Sequence, residues 1–274
     1  MAPPKVIGII SIKGGVGKTT TVSNLGAVLA NEFDQKVLLV DANYSAPNLG
    51  LHMGVVNPEK TLHDVLNDKV KINNAIIDHE HGFSLLPASL VPKKINPFKL
   101  KNRLDPIRED YDVILIDSSP ALNEEILSTM VASDELLVVS SPDYPTLSCT
   151  MHAIKVAKQK GTPIAGLVLN KVRGMNYELS LDDVEEATGV PVLAILNDEE
   201  KVLEALAHTK PAVLHVPKKD ISIEYKKLAA SLIGQTFKDK RLKSKIKSFL
   251  FDSDIDKADV NRALIEDRRN YKLN

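Results

Sequence analysis

Residues Ile12-Lys13-Gly14-Gly15-Val16-Gly17-Lys18-Thr19-Thr20 form a glycine-rich stretch near the start of the chain. An apolar run at residues 6–10, typical of a buried strand, precedes it, and residues 21–31 follow it with apolar side chains at helical spacing. A strand, a glycine loop and a helix therefore follow one another. In this context the backbone N–H groups of the loop can turn toward a phosphate chain, and the start of the helix adds partial positive charge. The stretch predicts a site for nucleotide phosphates.

Two side chains of this loop have the chemistry that a nucleoside triphosphate needs. Lys18 can reach the terminal phosphates, and the hydroxyl of Thr19 can ligate magnesium. The predicted nucleotide-binding residues are Gly14, Gly15, Val16, Gly17, Lys18, Thr19 and Thr20.

The composition is that of a globular protein without a global charge bias. The chain has 274 residues, 43% of them hydrophobic, and a formal net charge of -1. A near-neutral chain presents no general basic field to nucleic acid, so any basic surface must be local. The single cysteine, Cys149, excludes an internal disulfide framework and a cysteine-pair metal or iron–sulfur site. The sequence predicts neither a signal peptide nor a membrane-spanning helix, and we expect a cytoplasmic protein.

Two further apolar runs end in a carboxylate. Residues 36–41 end at Asp41, before an irregular polar loop at 42–50, and residues 112–117 end at Asp117. The carboxyl ends of parallel strands are where an open α/β sheet meets its ligand. In phosphate-binding proteins of this class, such an aspartate holds magnesium, usually through water, and the loop after it senses the terminal phosphate. Asp117 and Asp41 therefore join Thr19 as candidate metal-site residues.

The rest of the chain alternates between strand and helix patterns. Strands are predicted at residues 83–87, 135–140, 164–170 and 190–196. Helices are predicted at 98–109, 146–160, 179–188 and 221–235, with one or two more within 61–77. Such alternation indicates parallel pairing and a sheet covered on both faces. The expected fold class is α/β, with one doubly wound, mostly parallel sheet in a domain at 1–236 and a C-terminal extension at 237–274.

A short segment after the strand predicted at 164–170 bears on which base is bound. The segment reads Asn170-Lys171-Val172-Arg173, whereas GTPases read guanine with Asn-Lys-x-Asp. The carboxylate of that motif accepts hydrogen bonds from guanine N1 and N2, but Arg173 can only donate. Guanine is therefore disfavoured. Asn197 and Asp198 follow the next strand and are expected near the base, whereas Asn170 could simply cap its strand.

The glycine loop departs from the standard P-loop at two adjacent positions. The first glycine of G-x-x-x-x-G-K-[ST] would fall at Ile12, and a second lysine, Lys13, follows it. Together with residues 41–49 and 112–120, the loop resembles the MinD branch of the MinD/ParA ATPases. The resemblance covers residues 5 to about 235. It implies that the chain binds ATP and Mg²⁺ and forms a homodimer through ATP.

The resemblance also implies roles for individual residues. It places a switch loop at 42–50 and gives Asn170 a role at adenine. The other implied contacts are Lys13 with the partner's phosphates, Lys18 with the β- and γ-phosphates, Thr19 with magnesium, and Asp117 with the outer shell of that ion.

One substitution in the family pattern bears on catalysis. The pattern at the end of the second strand is Asp-x-Asp, whose second carboxylate positions the attacking water, but here the pair is Asp41 and Asn43. An amide cannot take the proton of the water, and its NH₂ group would offer a donor where the water needs an acceptor. We therefore expect ATP binding with slow turnover. The candidate catalytic residues are Lys13, Lys18, Asp41 and Asn43, with Asp41 or a backbone-held water as the alternative to Asn43.

The composition changes after residue 236. Residues 238–247 contain six cations, and a helix over 238–251 would align four apolar side chains in one stripe, namely Leu242, Ile246, Phe249 and Leu250. The pattern suits an interfacial helix on an anionic membrane, a helix docked on its own domain, or a contact with nucleic acid or a partner protein. The MinD anchor sits at the extreme C-terminus, whereas here a charged tail follows at 252–274. Within that tail Val260, Ala263 and Leu264 indicate another short helix.

These features predict an ATP-driven dimerising ATPase that acts in spatial positioning or cell division through reversible membrane attachment. An activating or cargo protein is a further expected partner. The alternatives are a ParA-like partition ATPase that uses DNA as its surface, or a regulator that places surface machinery. Iron–sulfur and nickel carriers of this superfamily need cysteine pairs, which are absent. Its tyrosine kinases carry a C-terminal tyrosine cluster where this chain has only Tyr271.

Overall fold

One sheet of eight strands forms the centre of the molecule over the residues that a computed structural model describes, which are 4–239, 241 and 257–272. The strands are β1 (Lys5–Ile10), β2 (Val37–Ala42), β3 (Ile77–Asp78), β4 (Ser84–Leu86), β5 (Val113–Ser118), β6 (Glu135–Ser140), β7 (Ile164–Val172) and β8 (Val192–Asn197). Their order across the sheet is β3-β4-β2-β5-β1-β6-β7-β8. Each pairing is parallel except that of β3 with β4. The predicted α/β fold with a mostly parallel sheet is confirmed.

Helices cover both faces of this sheet. They are α1 (Lys18–Glu32), α2 (Leu49–His52), α3 (Leu62–Leu66), α4 (Leu100–Leu104), α5 (Glu124–Ala132), α6 (Tyr144–Lys160), α7 (Leu181–Thr188), α8 (Glu200–Ala207), α9 (Ala212–His215), α10 (Asp220–Leu232) and α11 (Lys257–Lys272). Side chains of β1 alternate between the two faces, as the pleat of a strand requires. Ile7 and Ile9 pack with α1 and α10, whereas Val6 and Ile10 belong to the cores of the opposite face. Across the described ranges, we find no helix with the length and apolar character to span a bilayer.

The single helix predicted at residues 98–109 is wrong. The structure has a 3₁₀ turn at Pro97–Lys99, the short helix α4, and a second 3₁₀ stretch at Asp105–Asp110. Pro106 lacks a backbone N–H and its ring crowds the preceding turn, so the α-helical hydrogen-bond pattern ends there.

The predictions also failed at several short elements. Helix α3 and a 3₁₀ turn at Ile72–Asn74 account for the helices expected within 61–77, but Ile77 belongs to β3. Helices α5, α8 and α9, of nine, eight and four residues, were not predicted. Such short elements carry little periodicity, although the eight-residue α7 was predicted at 179–188. The α5 segment does have a start signal, since the Asn123 side chain accepts hydrogen bonds from the next turn.

The C-terminal helix α11 packs beside the edge strand β8 and helix α10. The helix indicated by Val260, Ala263 and Leu264 is present, but with 16 residues it is not the short helix that was predicted. Its buried Arg262 donates to the carbonyl of Leu193 in β8 and pairs with Glu224 of α10 at 2.7 Å. The basic helix predicted at 238–251 lies outside the described residues, apart from 238, 239 and 241. The domain boundary at residue 236 stays a prediction.

Candidate nucleotide-binding site

The carboxyl ends of β2, β5, β7 and β8, together with the glycine loop after β1, enclose a cavity of about 520 Å³. Parallel strands place these ends at one edge of the sheet. The sequence-predicted residues that line the cavity are Gly14, Gly15, Gly17, Lys18, Thr19, Thr20, Asn43, Asn170, Asn197 and Asp198. The other predicted residues, Lys13, Val16, Asp41 and Asp117, do not line it.

The glycine loop is shaped by left-handed backbone and by one side chain of β7. Gly15 and Gly17 have φ values of 76° and 97°. Asn170 donates from Nδ2 to the carbonyl oxygen of Val16 at 2.7 Å. A Cβ atom at Gly17 would overlap with that nitrogen, so a glycine is required at this close approach. Asn170 therefore fixes the shape of the loop, beyond capping its own strand.

The first turn of α1 is open to an anion. No side chain caps this end of the helix, and its first turn contains no acidic residue. The unpaired N–H groups and the helix dipole therefore favour negative charge there. Lys18, the first residue of α1, is only 7% exposed. Burial lowers the pKa of its ammonium group, and the nearby Asp117 opposes that shift.

Thr19 and Asp117 form the candidate metal site. The hydroxyl of Thr19 donates to Oδ2 of the fully buried Asp117 at 2.6 Å. The second carboxylate oxygen of Asp117, Oδ1, is buried and has no hydrogen-bond partner among the residues that the structure describes. Burial raises the pKa of Asp117, against the effects of Thr19 and Lys18. A hydroxyl and a carboxylate with an unpaired oxygen fit a hard cation such as Mg²⁺, which would compensate the buried charge.

Asp41 lies behind the cavity wall at the end of β2. Its Oδ1 accepts the backbone N–H of Asn43 at 3.2 Å, and its Oδ2 accepts that of Leu49 at 3.0 Å. Burial and the charge of Asp117 raise the pKa of Asp41. These contacts tie the loop after β2 to the strand. The catalytic or metal-binding role of Asp41 stays a prediction.

The side chain of Asn43 lies in the cavity wall and is 5% exposed. Its Nδ2 group donates to the carbonyl of Ala46 at 2.5 Å, while its Oδ1 is buried and has no partner within the described part of the chain. This contact assigns the amide orientation, because a carbonyl oxygen can only accept. The expectation that the NH₂ group would be the free group of Asn43 is therefore wrong. The atom of Asn43 left without a partner is an acceptor, and it is buried.

The side chain of Lys13 is exposed and lies outside the cavity of its own chain. Its surroundings include Asp143, the residue that caps α6. Burial raises the pKa of Asp143, but hydrogen bonds from Ser141 and Thr146 and the charge of Lys13 lower it overall. The two lysines of the glycine loop are thus in different environments, one inside the site and one on the outer surface.

The opposite end of the cavity has an apolar wall and a charged rim. Helix α8 supplies Val202, Leu203 and Leu206, and α10 supplies Ile221 and Tyr225. Sequence reasoning did not find these residues. The signal available for α8 was the spacing of its apolar residues directly after Asp198, and an apolar wall of this kind suits the face of a purine base.

The rim is an ion pair between Arg173 and Asp198. Nε and Nη2 of Arg173 both lie 2.8 Å from Oδ2 of Asp198. Asp198 was predicted near the base, and it does line the cavity.

The comparisons with known proteins agree with this geometry. The model of a family described as an AAA domain matches residues 4–162. An uncharacterised ATP-binding protein of Methanocaldococcus jannaschii is 33% identical over 247 residues, which span 89% of this chain and 93% of that protein. The cell division ATPase MinD of Pyrococcus furiosus, whose structure is solved, is 32% identical in sequence. The two structures superpose with a TM-score of 0.79, over 82% of this chain and 97% of the other. The septum site-determining protein MinD of Pyrococcus horikoshii, solved in complex with Mg-ADP, is 31% identical in sequence. Its structure superposes with a TM-score of 0.79, over 83% of this chain and 95% of the other.

Proposed function

Because the chain belongs to the MinD/ParA family of P-loop ATPases, we propose that it is a MinD-type switch in which two copies associate around bound ATP and separate after hydrolysis. The observation that carries the proposal is the position of the two loop lysines. Lys18 is buried against its own cavity, whereas Lys13 is exposed outside it. A lysine outside its own site is available to the phosphates of a second subunit.

Each subunit would hold its nucleotide with residues that line the cavity and with Asp117, which accepts a hydrogen bond from one of them. The N–H groups at the start of α1 and the ammonium group of Lys18 would bind the phosphates. The oxygens of Thr19 and Asp117 would hold Mg²⁺, which would neutralise phosphate charge when bound. The P. horikoshii relative was solved with Mg-ADP, which supports the same ligand class here.

The proposed hydrolysis is slow because of Asn43. Its Oδ1 is buried without a partner among the described residues, and it would accept a hydrogen bond from the attacking water, and orient it, once that water reaches this oxygen. It cannot remove the proton of that water at any ordinary pH. Positioning without general-base catalysis leaves a long-lived ATP state, which suits a switch whose ATP form must persist.

We further propose that the ATP form attaches to an anionic membrane through the basic segment at 238–251, in a role in cell division or spatial positioning. The six cations at 238–247 support an anionic surface, and the similarity to a cell division ATPase MinD supports the role in cell division. One of these cations, Arg241, is paired with Asp239 and Asp220, so the remaining lysines are the candidates for lipid headgroups.

The central test is the oligomeric state by analytical ultracentrifugation with Mg-ATP, Mg-ADP or no nucleotide. We expect a dimer with ATP only. Lys13→Ala should bind ATP yet remain monomeric, whereas Lys101→Ala, which removes another exposed lysine, should dimerise normally. An ATP-dependent dimer of Lys13→Ala would contradict the proposal.

The surface is tested by sedimentation of the full-length protein with anionic vesicles, neutral vesicles or duplex DNA. We expect ATP-dependent pelleting with anionic vesicles, lost when Lys243, Lys245 and Lys247 are changed to alanine. Binding to duplex DNA that falls steeply with salt would instead favour the partition ATPase.

A further inference from the structure

We propose that Arg173 makes the site selective for adenine by occupying one carboxylate oxygen of Asp198, so that Asp198 cannot read guanine. The inference rests on the proposed function, since it assumes that the cavity holds ATP. The sequence already shows that position 173 has no carboxylate to read guanine. The inference goes further, because it concerns the carboxylate of Asp198, which the fold brings next to Arg173.

The two residues meet at the rim of the cavity although they are far apart in sequence. Both Nε and Nη2 of Arg173 approach the same oxygen of Asp198, Oδ2, at 2.8 Å. The structure gives the other oxygen, Oδ1, no hydrogen-bond partner among the described residues. Asp198 lines the cavity, and only one of its two carboxylate oxygens is without a partner among the described residues.

The backbone around both residues is held in place. The carboxylate of Glu178 accepts the backbone N–H groups of Arg173, Gly174 and Met175 at 3.1, 2.8 and 3.1 Å. The N–H of Asp198 donates to the carbonyl of Val172 at 2.9 Å. The Arg173 side chain is 60% exposed, but it extends from an ordered loop toward a partner on the neighbouring strand end.

The hydrogen-bonding edges of the two purines explain the selectivity. Guanine presents two donors side by side, N1–H and N2–H, and a carboxylate reads both only when its two oxygens are free. Adenine presents N6–H as a donor next to the acceptor N1, so one free oxygen is sufficient. The guanidinium also places positive charge beside the donors of a bound guanine. Arg173 thus converts a carboxylate suited to guanine into a single acceptor suited to adenine.

The test measures equilibrium binding of ATP and GTP with Mg²⁺, by competition against a fluorescent ATP analogue, for the full-length protein and four variants. Arg173→Ala frees both oxygens of Asp198 and should raise the GTP affinity at least about tenfold, the value of one charge-assisted hydrogen bond, with little change for ATP. Arg173→Lys keeps a cation next to Oδ2 and should retain the original preference. The double variant Arg173→Ala, Asp198→Asn removes the carboxylate and should lose the gain.

The fourth variant, Lys201→Ala, is a matched control because it removes a cation from another exposed ion pair, with Glu204 on α8. It should leave both affinities unchanged. If Arg173→Ala binds ATP normally but gains nothing for GTP, or if the double variant keeps the gain, the inference is wrong and the proposed function stands. If the unchanged protein does not bind ATP, the proposed function is wrong and the inference with it. Thermal unfolding of each variant separates these outcomes from a folding defect.

Discussion

At the scale of single residues, the contact between Gly17 and Asn170 shows how the phosphate loop depends on a distant strand. Asn170 is 8% exposed, and its amide nitrogen is held by the carbonyl of Val16. Gly17 must be both left-handed and free of a side chain, because the amide of Asn170 occupies the space where a Cβ would lie. The loop thus has little freedom to relax around a larger residue.

We expect Gly17→Ala to abolish nucleotide binding and to lower the free energy of unfolding. Gly161→Ala is the matched control, since Gly161 also has a positive φ but a Cβ there would meet nothing within 4 Å. The control should cost about 1–2 kcal/mol for the left-handed backbone and retain ATP binding. Urea unfolding and ATP titration measure the two effects. Equal losses in both variants would show that the contact with Asn170 is unimportant.

Asn43 is the second residue whose environment leads to a prediction. If the catalytic water is oriented by Oδ1 but keeps its proton, Asn43→Asp should raise kcat by about 10²-fold, the lower end of a general-base contribution. Asn43→Ala removes the acceptor and should lower the rate below that of the unchanged protein. Steady-state ATPase assays, with ATP affinity measured in parallel, test both changes. An unchanged rate in Asn43→Asp would assign the proton transfer to another group.

At the scale of elements, α11 protects the edge of the sheet. An unpaired edge strand exposes backbone groups that can associate with another chain. In this protein, side chains of α10 and α11 form hydrogen bonds with some of the backbone groups of the edge strand β8. Asn261 donates to the carbonyl of Val192 at 2.9 Å, Arg262 donates to that of Leu193, and the N–H of Ile195 donates to Glu224 at 3.3 Å. Helix α11 is therefore held to the folded domain by polar contacts as well as by its apolar residues Ala258 and Ile265.

We expect Arg262→Ala to lower the free energy of unfolding by about 3 kcal/mol, because it leaves the largely buried carboxylate of Glu224 without its cation. Val260→Ala is the control on the same helix. Val260 is 40% exposed, so its truncation should change stability by less than about 0.5 kcal/mol. Chemical denaturation measures both variants, and hydrogen exchange of β8 should increase only in Arg262→Ala. Similar small effects in the two variants would mean that α11 contributes little to the fold.

At the scale of the whole molecule, stability should depend on pH through a buried histidine. His63 is 1% exposed, and its Nδ1 accepts the backbone N–H of Ser89 at 3.0 Å. Burial lowers its pKa, and the charge of Lys93 lowers it further. The folded state therefore takes up a proton less readily than the unfolded state, in which the pKa is about 6.5.

The sign of the pH effect follows from this difference. Above about pH 6.5 the ring is neutral in both states and makes no contribution to the pH dependence, whereas below it the unfolded state gains protons first and the free energy of unfolding falls. We expect His63→Gln to reduce that fall between pH 7.5 and 5.5. His152→Gln is the control, since His152 is exposed and should leave the dependence unchanged. Urea unfolding at the two pH values measures the free energy of unfolding of each protein. An equal fall between pH 7.5 and 5.5 in all three proteins would contradict the prediction.

Much of the site could be predicted from local sequence. The glycine loop between a strand and a helix, and Asp117 at the end of an apolar run, have patterns whose meaning lies within about ten residues. Elements such as α6 and β6 were predicted for the same reason, because their apolar pattern and the turns at their ends lie together in the sequence. Eight residues give little pattern, so that α8 was missed although α7, of the same length, was predicted. Helix α8 supplies part of the apolar wall of the cavity.

By itself, the sequence determined the fold class, the phosphate loop and the chemical types available at the strand ends, because each is encoded by neighbouring residues. Only the tertiary structure decided how those groups are used. It turned the amide of Asn43 so that its oxygen is free, placed Asn170 against the glycine loop, and paired Arg173 with Asp198. The contact between Asn170 and Val16 joins residues 154 positions apart. The physical reason is that hydrogen-bond partners are chosen by proximity in space, and that proximity exists only once the parallel sheet has brought the strand ends to one edge.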